Sequence, residues 1–212
     1  MYQTYGNRKE ILIMQKILFN TKYGLEQAVL RGEKTQTRRL ANKKALEAYH
    51  QYFIKKGGSG KKSLKDFSPL KVGDVVAIAQ SYKDVYYSAP EKSRQYENID
   101  TISHQPGWNN KMFVKAEHMP HCVKITDVRL QRLQDISDED CLAEGIRKTE
   151  CLTSDMKLVD RYDFDNSFDR GGRVIRYGTP KDAYAVLIDK ISGKGTWDND
   201  PMVFAYTFEL IR

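Results

Sequence analysis

The chain has 212 residues, 40 % of them hydrophobic, and 35 lysines and arginines against 28 acids, for a formal charge of +7. That apolar content suffices for the core of one larger domain, while no apolar stretch approaches the length of a bilayer span, so a soluble protein without a membrane partner is expected. Cys122, Cys141 and Cys151 are odd in number and have no metal-ligand spacing among the four histidines, which argues against a disulfide framework, a metal site or a cofactor and for a reducing cytoplasm.

At the N-terminus, Arg8 and Lys9 precede Ile11, Leu12, Ile13 and Met14 in a faint imitation of a secretion signal, too short and broken by Gln15 and Lys16. Met14 competes with Met1 as the natural start, which would leave a disordered tail before it. Residues 17–19 form a short strand. Residues 23–30 carry Leu25, Ala28 and Val29 at helical spacing, and Gly32 follows where a left-handed helix stop is wanted. Alternation then takes over: Thr35, Thr37 and Arg39 share one strand face, with Gln36, Arg38 and Leu40 on the other. Lys34 meets Thr37 only if it still lies in the turn after Gly32.

Residues 41–56 read as a helix, and the glycines and serines of 57–63 as a flexible linker. A phosphate-binding loop would need a leading glycine spacing and a preceding strand that are missing here. Residues 75–79 are a continuous apolar run, as in a strand buried on both faces. Residues 82–115 show no period and read as a long loop. Val123 and Ile125 fall on one phase, Val128 and Leu130 on the other, which predicts a bulge near Thr126 and Asp127.

A short helix starts at Ser137 as its cap, with Asp140 as a weaker capping-box acid and Ile136 packing on Cys141, and Gly145 ends it. Residues 147–177 read as a polar surface insertion or lid, whose aspartates (155, 160, 163, 165, 169) are too irregular for a calcium loop. Residues 182–191 form a helix with Ala183, Leu187 and Ile188 on one face. In residues 202–210, Met202, Phe204, Tyr206, Phe208 and Leu210 alternate as a core-lining strand. With no repeat and no sharp composition shift, the expectation is one domain over 1–212, carrying insertions near 41–68, 83–115 and 147–180.

Two features carry chemistry. A threonine beside a lysine can act as nucleophile and base if burial lowers the lysine pKa, whereas a solvated Lys34 would only contact phosphates or water. Glu144, at the carbonyl end of its helix, is easier to protonate there, which suits an acid/base or substrate-gripping role; the alternative is an exposed glutamate paired with Arg147 or Lys148. Charge is also concentrated. Residues 31–65 hold eleven cations against two acids, a formal surplus of nine, so the remainder is slightly acidic. That is the footprint expected of phosphate binding, through Lys34, Arg38, Arg39, Lys43, Lys44, Lys55, Lys56, Lys61 and Lys62, with Tyr49, Tyr52 and Phe53 available to stack on bases. The alternative is a solvated, lysine-rich insertion with its rings on the core.

The residues 31–39 (RGEKTQTRR), Val72-Gly73-Asp74, 133–137 (LQDIS) and Ala143-Glu144-Gly145-Ile146 resemble, in order, the ASCH domain family of the PUA-like superfamily. His118-Met119-Pro120 and the residues 195–201 (GTWDNDP) are similar to segments of larger phage and prophage ASCH proteins. The resemblance implies an α+β fold, a small mixed β-barrel with flanking helices and surface insertions, and an association with RNA. One branch hydrolyses acetylcytidine to cytidine and acetate with a lysine, threonine and glutamate triad, matched here by Lys34, Thr37 and Glu144. The chain is about twice as long as those compact amidohydrolases, and Ala79-Gln80-Ser81-Tyr82 lacks the arginine, glutamate and tryptophan common at that point in phage relatives. The expected function is a module binding RNA, another single-stranded nucleic acid or a modified nucleoside. The alternative is an amidohydrolase acting on an acylated nucleoside, or a ribonuclease using the same cleft.

Overall fold

The computed structural model describes residues 15–41, 43–56, 62–89 and 99–211. The signal-like N-terminus and the choice between Met1 and Met14, the glycines of 57–61 and Lys61 lie outside the described residues. The fold is α+β. Five strands form one sheet in the order β1 (Lys16–Ile17), β3 (Val75–Ile78), β4 (Cys122–Arg132), β7 (Met202–Ile211) and β2 (Gln36–Leu40). β1 runs parallel to β3, and the other neighbours are antiparallel. Among the described residues β1 and β2 are the open edges of this sheet, where the resemblance implied a closed barrel; two residues of β1 offer almost no ladder with which to close one.

The strand reading holds where the side-chain period is clear. β4 shifts register between Ile125 and Asp127, so Val123, Ile125 and Val128 are all buried despite their change of phase. Alternation predicts one buried face for β7, yet Val203 and Ala205 are as buried as Phe204 and Tyr206. It is flanked by β4 and β2, and a central strand covered on both faces has no solvated phase.

The helices sit against this sheet. α1 (Leu25–Leu30) buries Leu25, Ala28 and Val29, and α2 (Lys43–Lys55) lies at the expected place, burying Ala45. α5 (Asp138–Ala143) and α6 (Pro180–Ser192) pack on one another and contribute Cys141, Ala183, Leu187 and Ile188 to the main core.

The expected long loop carries helices among its described residues, 82–89 and 99–115. Residues 82–115 contain α3 (Tyr82–Ser88), capped by Ser81, and α4 (Ile99–Ser103), and Tyr82 and Val114 join Ala77, Ala79 and Met119 in a second small core. α3 buries only Tyr82 and α4 none of its residues, so neither carries the buried apolar stripe that makes the equally short α1 readable. Lys16 Nζ donates to the carbonyls of Met112 and Val114, both at 2.7 Å, and Lys111 Nζ donates to Glu26 at 2.6 Å and to the Phe19 carbonyl. Residues 147–177 lie largely at the surface, as read from their polarity. They start as a hairpin of β5 (Arg147–Leu152) and β6 (Leu158–Asp163), whose base enters the core through Phe164, stacked on Tyr177 at 6.2 Å. All three cysteines are free; among the described residues no group of side chains could hold a metal, and no helix is long and apolar enough to cross a membrane.

Candidate functional site

The lysine is delivered by a turn, as its position relative to Gly32 required. Gly32 adopts φ +76°, and the N–H groups of Glu33 and Lys34 both close back on the Ala28 carbonyl. Thr35 then bridges two elements: its N–H donates to the Ala143 carbonyl, at the end of α5, and its carbonyl accepts from Phe208 in β7. Lys34 is thereby fixed between α1, α5 and the sheet with its side chain inside, 2 % exposed. Thr37 follows in β2, opposite Tyr206 of β7, and is also buried.

Glu144 arrives from the other direction. Ser137 accepts from the Asp140 N–H to start α5, and Gly145, at φ +104°, turns the chain so that the Ile146 N–H reaches the Cys141 carbonyl. A methyl group at Gly145 would lie 3.2 Å from Leu25 Cδ2 and 3.7 Å from Lys34 Cδ. Glycine is needed here both for the left-handed backbone and for room beside the lysine stem.

Lys34 Nζ donates to the Glu144 carbonyl at 2.6 Å and to Glu144 Oε2 at 2.5 Å. Arg38 Nη1 donates to Glu144 Oε1 at 3.1 Å, and Arg38 Nη2 to Asp140 Oδ2 at 2.6 Å. Asp140 also accepts from Gln36 at 2.8 Å and from Arg129 at 2.9 Å. Its carboxylate therefore does not complete a capping box; three donors from β2 and β4 outcompete the single N–H at the helix start. Nor is Glu144 an exposed partner of Arg147 or Lys148, which pair with Asp163 and Asp160.

Lys34, Thr37 and Glu144 border one cavity of about 220 Å³ running along the free side of edge strand β2, which is why consecutive residues Thr37, Arg38 and Arg39 all reach it. Its opposite wall is apolar, formed by Leu187, Ile188 and Ile191 of α6, with Tyr184 beside them. The spacing 184, 187, 188, 191 is a helical stripe, so Tyr184 was legible from sequence on the same face as Leu187 and Ile188. Asp140, Gln36 and Arg129 carry no such signal, since only the tertiary fold brings them to Arg38. A second cleft of about 350 Å³ beyond Gly145 is lined by charges that are exposed and already paired, Arg31 with Glu33 at 2.7 Å and Arg147 with Asp163 at 2.7 Å.

Burial lowers the Lys34 pKa, Glu144 opposes this, and Arg39 and Arg38 add to the lowering. Burial raises the Tyr184 phenol well above its usual value, with the Glu144 charge adding to it. A lysine whose two hydrogens are committed to the Glu144 oxygens has, once neutral, its lone pair in the remaining tetrahedral direction; no hydrogen bond joins Lys34 Nζ to the Thr37 hydroxyl, although both residues line the cavity.

The expected phosphate-contacting set divides. Arg38 is 5 % exposed, and Arg39 is partly buried, its Nη2 donating to the Leu18 carbonyl at 2.5 Å; with Lys34 these cations face inward. Lys43, Lys44, Lys55, Lys56 and Lys62 are on the surface. Tyr49 and Tyr52 pack on Phe67, each at 5.8 Å between ring centres, while Phe53 is exposed. Comparison with protein-family models, curated proteins and solved structures gives no match to this chain, so the site is read from its own geometry.

Proposed function

We propose that the cavity is the active site of an amidohydrolase that removes an acyl group from a small molecule of about nucleoside size, as in the acetylcytidine-cleaving branch of the ASCH family. On the same reading, the five-stranded sheet is the counterpart of the PUA-like barrel. The observation that carries this reading is the meeting of Lys34, Thr37 and Glu144 at one cavity, with Lys34 fixed by two hydrogen bonds to Glu144.

In the proposed reaction the Thr37 hydroxyl attacks the acyl carbonyl while Lys34 takes its proton. The tetrahedral adduct collapses as Lys34 returns that proton to the leaving amine, which departs and leaves an acyl ester on Thr37. Water, deprotonated by Lys34, then attacks the ester; the adduct expels the Thr37 oxygen, which takes that proton back from Lys34, and the carboxylic acid leaves and ionises in solvent. Glu144 orients the lysine throughout and Arg38 holds Glu144.

The test is release of acetate from acetylcytidine and related acylated nucleosides, followed by mass spectrometry. Turnover is expected from the native chain and lost in Thr37→Ala, with ligand affinity retained because the nucleophile acts mainly in the transition state. Lys34→Arg should be as damaging, since arginine stays protonated. Turnover that survives Lys34→Arg would overturn the reading. A second reading, binding of single-stranded nucleic acid, is supported by the exposed lysines of α2 together with Lys62 and Phe53, outside the cavity.

A further inference from the structure

Three cations and one carboxylate line the cavity: Lys34, Arg38, Arg39 and Glu144. The carboxylates within reach are committed, Glu144 to Lys34 and Arg38, and Asp140 to Arg38 and Arg129. Arg39 reaches no carboxylate among the described residues. Its contacts are the single bond to the Leu18 carbonyl and the Phe19 ring, 5.8 Å from its guanidinium carbon. A guanidinium has five N–H donors and keeps its proton, so most of those of the partly buried Arg39 make no bond to the protein among the described residues, and its charge is met only at longer range, by Glu144.

Two further buried polar atoms of the cavity wall lack a hydrogen-bond partner among the described residues, Tyr184 Oη and Arg38 Nε, on residues 2 % and 5 % exposed. Both can donate. α6 supplies Leu187, Ile188 and Ile191, with Tyr184 at one end of this stripe and Ser192 at the other. The cavity thus offers positive charge from β2, unpartnered donors from Arg38 and from Tyr184 of α6, and an apolar stripe along α6. An apolar side chain would suffice at Arg39 if the ligand were a neutral molecule held by shape.

We infer that Arg39 is an anion subsite of this cavity, and that the ligand is a small molecule bearing a carboxylate or phosphate beside an apolar portion that packs on α6. The inference rests on the cavity being the ligand site proposed above and is independent of whether Thr37 performs chemistry. Arg39 is also one of the charges that depress the Lys34 pKa. An anion seated on it offsets that influence, so anionic substrates should show their acid limb of activity at higher pH than neutral ones.

Calorimetric titration tests this with two matched pairs: acetylcytidine against its 5′-monophosphate for the phosphate, and benzamide against benzoate for the carboxylate. The anionic member of at least one pair is expected to bind at least tenfold more tightly, and the pair that discriminates identifies the anion. Thr37→Ala should keep the preference, which separates this inference from the hydrolase reading. Arg39→Gln should abolish it, and Arg39→Lys should retain part of it. Equal affinity within both pairs for the native chain overturns the inference whether or not the variants fold; so does a preference that survives in folded Arg39→Gln, or the absence of any anion binding at millimolar concentration.

Discussion

Lys34 is the residue on which the site turns, because its protonation decides whether it is a base or a fixed cation. Its folded pKa lies below the ordinary lysine value of 10.5, burial being the main cause. A base acts when neutral, so turnover is expected to rise with pH through the lowered value and to fall away below it, in a single acid limb read from kcat against pH. Stability follows the same sign. Between the lowered value and 10.5 the unfolded chain binds more protons than the folded one, so stability should increase with pH across that window and level off below it.

Glu144 is open to a direct test. Glu144→Ala leaves Lys34 and Arg38 facing a buried space without their carboxylate, and breaking a buried pair in this way costs about 3–5 kcal/mol. Glu144→Gln keeps the shape and an acceptor oxygen; the urea midpoint should move less than for alanine while kcat drops at least tenfold. Equal midpoints for the two variants would mean that the shape and acceptor kept by glutamine contribute nothing and that the charge of Glu144 accounts for the whole loss.

At the scale of elements, legibility tracked length and period. α6, β3, β7 and the β4 bulge were readable because their apolar spacing is repeated or its phase breaks at one point. α3 and α4 were not, since they bury one residue and none and so carry no apolar stripe. The turn at Gly32 and the glycine stop at 145 were legible locally, but that Lys34 and Glu144 face one another was implied only by the family resemblance, because nothing local relates residues this far apart in the chain. The basic segment shows the limit of counting charge: a formal surplus does not say that Lys34, Arg38 and Arg39 turn inward while the α2 lysines turn out. If those outward lysines bind single-stranded RNA, replacing Lys43, Lys44, Lys55 and Lys62 with glutamine should flatten the salt dependence of binding, by about 0.7 in log–log slope for each phosphate that is no longer neutralised. An unchanged slope would assign them to solubility.

Across the whole molecule, the dipeptide Leu18–Phe19 is tethered from two sides. Arg39 holds the Leu18 carbonyl from within the cavity, and Lys111, from the segment between α4 and β4, holds the Phe19 carbonyl and Glu26. Arg39 and Lys111, far apart in the chain, thus grip one short unit of the cavity wall through its two adjacent carbonyls. Any ligand that draws Arg39 toward itself changes the hold on that unit, and linkage is reciprocal: if occupancy alters how firmly residues 111–114 dock, their docking must alter affinity by the same factor. Lys111→Met should therefore speed amide exchange at residues 16–19 and change ligand affinity without touching the cavity, and saturating ligand should change exchange at 111–114. Exchange that is indifferent to ligand there, with native affinity in Lys111→Met, would show the two ends to be thermodynamically uncoupled. If they are coupled, the segment that reads as featureless in the sequence is the lever through which distant surface events reach the chemistry.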